Sequence, residues 1–314
     1  MKRTNVIGIA LLVVFVATGG CGDEPKAPTA SDAEPAWDYY TDSALYLPEN
    51  VHTNVIRRLI FLRDEGSGTI DGFNLDDRVS DSNDLETCGK ADRVDSDGRE
   101  GIDNQLAVIF NALALIVEDT PQIAIQGAIN EGRILMMVEL EGLDDLKNDD
   151  QVTLRFFRGA GRPIIGNLGL INPYQTFLVD YTTPMSIAKD VSLVNGVIEA
   201  GPIDFEVPVD VLDANFPMAV QGGRIRVELS EDGTMTGLIG GSINVDKVLR
   251  DFGEVVAGNE DEMARPIFER SADLRRVDGQ CTELSLAFGI EGHIAFAVHD
   301  LDQEEAESTG TTTE

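Results

Sequence analysis

Asp204-Phe205-Glu206-Val207-Pro208-Val209-Asp210-Val211 puts an apolar side chain at every odd position and an acid or proline at every even one. A period of two is the geometry of a strand, whose side chains point alternately to opposite faces. The pattern repeats outward from this stretch. Ile225, Val227 and Leu229 alternate with Arg224, Arg226 and Glu228; Ile134, Met136, Val138 and Leu140 alternate with Glu139 and Glu141; Val152, Leu154 and Phe156 follow suit. Each reads as a strand with one dry and one wet face. Pro208 lacks a donor for a ladder, which puts its strand at an edge. Asn195-Gly196 and Asp232-Gly233 lie between strand-like runs and predict hairpins, because tight hairpin turns need positive φ. From Cys281 to Val298 the period predicts another strand, with Leu284, Leu286, Phe288 and Ile290 inward, then Ile294, Phe296 and Val298.

Asn54 to Leu62 reads as a buried strand, although Arg57 and Arg58 also suit a helix. Helical spacing links Ile102, Leu106, Ile109, Phe110, Leu113 and Val117, with Asp103 or Asn104 placed to cap the first turn. A short helix is expected from Thr120 and Pro121 to near Gly132, since Pro suits the first helical position. Further helices are expected over Asn244–Val256 and Met263–Val277. The sum is a mainly β chain, an antiparallel β-sandwich-like domain over residues 46–300 with a few flanking helices.

Between the first strand and the first helix the chain is acidic: from Asp64 to Gln105 thirteen Asp or Glu face four Lys or Arg. Ca²⁺ takes six to eight hard oxygen ligands in a tolerant geometry, which such a loop can supply. The candidate ligands are Asn74, Asp76, Asp95, Asp97 and Asp103, with Asp71, Asp81, Asp84 and Asp92 in reserve; the competing reading is a solvated acidic loop without an ion. The segment from Asp95 to Asp103 resembles the Asp-rich Ca²⁺ loops of EF-hand and thrombospondin-type repeats, but Arg93 stands where the first EF-hand ligand belongs. Asn74-Leu75-Asp76-Asp77 and Asp103-Asn104-Gln105-Leu106 resemble a closer pattern. In a group of uncharacterised exported bacterial lipoproteins, a strand leads to an Asp-Leu-Asp-Gly-like segment, then Asp-Asn-Gln-Leu, then an apolar helix. The resemblance covers about residues 55 to 117, with Arg78 to Ile102 as an insertion, and implies no particular activity.

The N-terminus reads as an address. Met1-Lys2-Arg3 is followed by the apolar run Val6–Val16, too short to span a bilayer, and by small residues before Cys21. Residues 1–20 read as a signal peptide. Thr18-Gly19-Gly20-Cys21 resembles a bacterial lipobox, with Thr18 where Leu is usual, which implies acylation at Cys21 and a place on the outer membrane or cell surface. A plain secretory signal is the alternative. Residues 21–45 read as a disordered tether and 301–314 as a disordered acidic tail. Cys88 and Cys281 then remain, and an even remainder in an exported chain predicts a disulfide.

A net charge of −32 and a pI near 4.2 argue against nucleic acid, which is held by Lys and Arg. Catalytic patterns are thin. His293 and His299 read as exposed strand histidines; with His52 they fall short of the clustered ligands zinc requires. Gly159-Ala160-Gly161 and Gly240-Gly241-Ser242 fit turns or bulges better than a phosphate loop. Asp144, Asp145, Asp149 and Asp150 read as an exposed turn. The expectation is a lipid-anchored module, Ca²⁺-stabilised and structural or ligand-binding, whose protein or glycan partner is unnamed. The alternative is a surface hydrolase using two carboxylates, glycosidase-like in chemistry.

Overall fold

The computed structural model describes residues 45–63, 68–85, 87–110, 120–211, 214–255, 260–300 and Gln303. The signal segment, Cys21, the tether up to residue 44, the tail apart from Gln303 and the expected helical positions Leu113 and Val117 lie outside these residues. Ala44–Glu314 forms one compact unit.

Its strands are β1 (Leu45–Tyr46), β2 (Val51–Phe61), β3 (Met136–Glu141), β4 (Asn148–Ala160), β5 (Thr176–Val179), β6 (Ser186–Val194), β7 (Val197–Val211), β8 (Ala214–Leu229), β9 (Thr234–Asn244), β10 (Leu274–Val277) and β11 (Gln280–Asp300). Helix α1 is seen over 105–110, followed by α2 (Thr120–Asn130), α3 (Val245–Val255) and α4 (Glu260–Ser271). The chain is mainly β and its one large sheet is antiparallel almost throughout, as the alternation predicts. That sheet joins its own ends. β2, β3, β4, β6, β7, β8 and β9 pair in turn, and β11 pairs with β9 along Glu283–His293 and with β2 along Phe288–Ala295. The result is a ring whose one long edge among these strands is the part of β7 beyond its short pairing with β6.

The inside of the ring is apolar because cross-strand partners share a face. Leu59, Ile290 and Gly237 meet in one row, and Phe288, Ile239 and Ile225 in the next. Across from them stand Leu140 and Leu154, then Leu193 and Ile198. All but Gly237 are at most 2 % exposed. The wall is thinnest between β6 and β7, which pair only at Leu193–Ile198 and Val194–Val197. Beyond that point β7 runs as an edge beside β8 alone, and Pro208 lies in this part. On the far side, β2 above Val55 has no β3 beside it. α2 takes that place: Gln122 donates to Leu59 O at 2.7 Å and accepts from Phe61 N at 3.0 Å, and Gln126 donates to Arg57 O at 2.9 Å. These amides answer main-chain groups that a strand would otherwise satisfy.

The sandwich-like second layer comes from β11 itself. Between Glu291 and Gly292 the β2–β11 register slips, so Arg57 has no partner in the ladder. The extra residue is on β2, whereas β11 keeps its own alternation and pairs with β9 without a break through His293. Before the slip Leu284, Leu286, Phe288 and Ile290 point into the ring, as expected; after it Ala295, Ala297 and His299 are buried, while Phe296 is exposed. The expectation that Ile294, Phe296 and Val298 continue the inward set is therefore corrected. Past Ala295 the strand leaves β2 and lies over the outside of β2, β3 and β4, flanked by β1 and by the parallel β5.

Other boundaries shift. The helix expected over Met263–Val277 ends at Ser271, and Leu274–Val277 instead pairs with β11, as β10. The Asn195-Gly196 hairpin has both residues at positive φ. At Asp232-Gly233 the loop is longer and only Gly233 has positive φ, with its N–H on Ser230 O at 3.0 Å.

Candidate functional site

The acidic segment 68–104 is a flap laid over the outer faces of β8 and β11. Three short bridges order it, Thr69–Val94, Phe73–Asp103 and Arg93–Ile102. Phe73 is buried beneath the Arg226 guanidinium at 5.1 Å, Arg224 reaches Asp77 at 3.1 Å, and Cys88 is bonded to Cys281 at the start of β11. The predicted disulfide is therefore present. Asn104, 2 % exposed, is the capping residue: its Oδ1 accepts from Ala107 N at 3.3 Å and from Ala287 N at 3.1 Å. Its Nδ2 donates to Asp71 O at 2.9 Å, so one side chain joins flap, helix and barrel.

Most candidate ligands are engaged within their own turns. Asn74 holds both ends of its loop through Arg78 N and O, and Asp76 also accepts from Arg78 N at 3.0 Å. Asp95 is buried and accepts from Asp97 N, Arg99 N and Arg99 Nε, the last at 2.5 Å; Asp97 meets the same guanidinium at 2.8 Å. Arg99 thus supplies the positive charge in that turn. Of the reserve residues, Asp71 accepts from Ser96 N, Asp81 from Asn83 N, and Asp84 from Arg78 at 2.8 Å. The two sides of the insertion converge by hydrogen bonds: Asp103 Oδ2 accepts from Leu75 N at 2.7 Å.

Asp76, Asp92 and Asp273 lie near enough to Asp103 for their charges to act on its carboxyl. Asp273 is absent from the candidate set, and its sequence surroundings, inside an expected helix, carry no signal for it. Burial raises the Asp103 carboxyl to about 8, and the charges of Asp76, Asp273 and Asp92 add to the rise against the opposing Leu75 hydrogen bond. Burial raises Asp273 to about 7, with Asp92 adding to it, although Ser285 donates both its N–H at 2.8 Å and its Oγ–H at 2.5 Å. Ser285 Oγ in turn accepts from Gln105 N at 2.8 Å, which ties this acid to the first turn of α1. Asp92 is raised too, first by burial and then by Asp76 and Asp84. Among the described residues, no group of three or more His, Cys, Asp or Glu is already arranged to hold a metal ion.

A second polar cluster lies between the ring and the outer layer. Glu139, expected on a wet face, is fully buried, and so is His299, expected to be exposed. His299 Nε2 stands 3.1 Å from Glu139 Oε2; Thr53 donates to the same oxygen at 3.2 Å, and Arg155 donates to Oε1 at 3.2 Å. Tyr181 Oη lies 3.4 Å from His299 Nδ1 and accepts from Asp300 N. Burial pushes the Glu139 carboxyl up, but His299 and Arg155 outweigh it and hold it below its ordinary value. A clue was in the run Met136-Met137-Val138-Glu139-Leu140, where the acid sits among apolar neighbours of both parities. His293 packs beside Arg57 instead, and Asp149 caps its own exposed turn through Asp144 N and Gln151 N.

One small cleft, about 130 Å³, opens at the thin wall, between Phe156, Phe205, Val220 and Met136, with Arg158 and Glu206 in its lining. No described helix is long and apolar enough to cross a membrane. No family model, curated protein or solved structure matches the chain.

Proposed function

We propose that the chain is an exported structural or ligand-binding module, held to a bacterial outer membrane or cell surface by acylation at Cys21, whose flap is stabilised by Ca²⁺. What supports the ion is the burial of two carboxyls from distant parts of the sequence, Asp103 at 4 % and Asp273 at 5 % exposed, both raised by that burial and by the charge of Asp92. A divalent cation among Asp76, Asp92, Asp103 and Asp273 offsets that repulsion and takes the place of their protons. Hard carboxylate oxygens suit Ca²⁺. This moves the proposed ligands from Asp95 and Asp97, which Arg99 already neutralises, toward Asp92 and Asp273. The flap then acts as a clasp on the β8–β11 wall, fastened by the disulfide at Cys88 and by the ion.

The test is a thermal melt with EGTA and then with excess Ca²⁺, paired with proton release on Ca²⁺ addition in weakly buffered solution at pH 7. Binding at one hundred times Kd adds about 2.7 kcal/mol to stability. A raised midpoint with release of protons supports the reading; an unmoved midpoint and no release refutes it.

A further inference from the structure

We infer that the outward face of the second layer, formed by β5, the last turn of β11 and the adjoining loop, lies against the lipid surface. The inference rests on acylation at Cys21. In β5, Phe177 and Val179 are buried and Thr176 and Leu178 face out. Across the parallel ladder Thr176 meets Phe296, and Leu178 meets Val298. The outward row is therefore apolar but for Thr176, with Phe296 39 % and Leu178 44 % exposed, and the loop leading into it adds Tyr174 at 63 % and Leu168 at 85 %. Tyr174 N donates to Ile294 O at 2.8 Å and Gln175 clasps both ends of the Ile164 peptide, so the loop is fastened to the same strand. A patch of exposed aliphatic and aromatic side chains marks a contact surface, and Tyr is among the residues enriched where protein meets the headgroup region.

The position of the tether selects the lipid as occupant. The chain enters this layer at Leu45, paired with Asp300 at its edge. Cys21 precedes Leu45 by 24 residues, a span of at most about 85 Å when fully extended. An acyl anchor at that position keeps the patch at high local concentration beside the bilayer, where weak contact suffices. The net charge of −32 favours a zwitterionic over an anionic surface.

The test uses the acylated full-length protein in phosphatidylcholine vesicles, with an environment-sensitive dye on Leu178→Cys, on Tyr174→Cys, or on Glu228→Cys, an exposed site on β8 across the ring. Cys88 and Cys281 are bonded, so only the introduced thiol is labelled. Loss of dye emission to nitroxide-headgroup lipids at 178 and 174, but not at 228, supports a lipid contact face. Equal quenching at all three sites, or at none, overturns it. A blue shift at 178 in detergent-free solution that scales with protein concentration overturns it in favour of a second copy. Mass spectrometry of the N-terminal peptide separates the two readings: no acyl group at Cys21 removes the anchor and this face with it, whereas acylation without quenching removes the face alone.

Discussion

Replacing Asp103 with Asn is predicted to stabilise the protein near and above neutral pH, although it deletes a charge from a candidate ion site. Asp103 is 4 % exposed and its carboxyl is raised to about 8. In the unfolded chain the same group titrates near 3.9. A raised acid contributes stability that is complete below the unfolded value and is lost as pH climbs toward the folded one. Each pH unit in that window is worth about 1.4 kcal/mol for one proton, so at pH 7.5 the loss approaches about 5 kcal/mol as an upper figure. Asn pays no such cost, and its Oδ1 can still accept from Leu75 N. The expected gain is about 2–5 kcal/mol at pH 7.5, shrinking toward zero near pH 4. Urea unfolding followed by circular dichroism between pH 5 and 8 measures it. If Asp103 and Asp273 both retain protons, wild-type stability falls by up to about 2.7 kcal/mol per pH unit between pH 5 and 7, and the variant by about half that. A variant less stable than wild type at pH 8, or one with an undiminished slope, would show that Asp103 is ionised and satisfied in the fold.

The Cys88→Ala/Cys281→Ala pair opens a cross-link spanning 193 residues, worth up to about 5 kcal/mol by chain entropy, so a drop in Tm of roughly 10–20 °C is expected; a loss under about 1 kcal/mol refutes the entropic reasoning. Glu139→Gln leaves His299 and Arg155 short of their buried carboxylate and is expected to cost about 3–5 kcal/mol at pH 7. Because Glu139 is held below its ordinary value, its contribution is present above about pH 4 and fades in stronger acid, so variant and wild type should converge in urea melts near pH 3. Gly101→Ala forces φ +79° on a residue whose new Cβ would meet Arg78 O and the Asn74 side chain. A cost of about 1–3 kcal/mol is expected, with faster amide exchange across 71–103 and none in β7–β9; a uniform rise would contradict a flap that opens separately.

The strands were legible because alternation is local: Phe205 to Val211 needs no distant information to declare two faces. The hairpins at Asn195 and Asp232 were legible for the same reason, and the Cys88–Cys281 bridge followed from arithmetic on three cysteines. What stayed hidden depends on partners far apart in the chain. Closure of the ring needs β11 between β2 and β9, and no period in β2 anticipates residues more than 220 positions away. Beyond Ala295 β11 leaves the ring and lies over the outside of β2–β4, so the face carrying Ala297 and His299 becomes the buried one, which is why Phe296 reads as core and His299 as surface when the reverse holds. In the flap, glycines and closely spaced acids drew attention to Asp95 and Asp97, yet Arg99 in the same turn answers their charge. Asp273 was beyond reach, since its place beside Asp103 is made by the β10–β11 hairpin and by Ser285.

The two buried acid clusters impose opposite pH dependences, and this gives the calcium reading its sharpest form. Glu139 is stabilising when ionised, so its layer weakens as acid protonates it; Asp103 and Asp273 are destabilising when ionised, so the flap weakens as base deprotonates them. Stability should therefore pass through a maximum on the acid side of neutrality. A cation bound at the flap competes with protons on Asp103 and Asp273 and has no contact with Glu139, which lies under β11 beside His299. Saturating Ca²⁺ should consequently lift the alkaline limb of the stability profile and leave the acid limb where it was. A Ca²⁺ effect of equal size on both limbs would be a general ionic effect on a chain of charge −32, and the specific site would have to be given up.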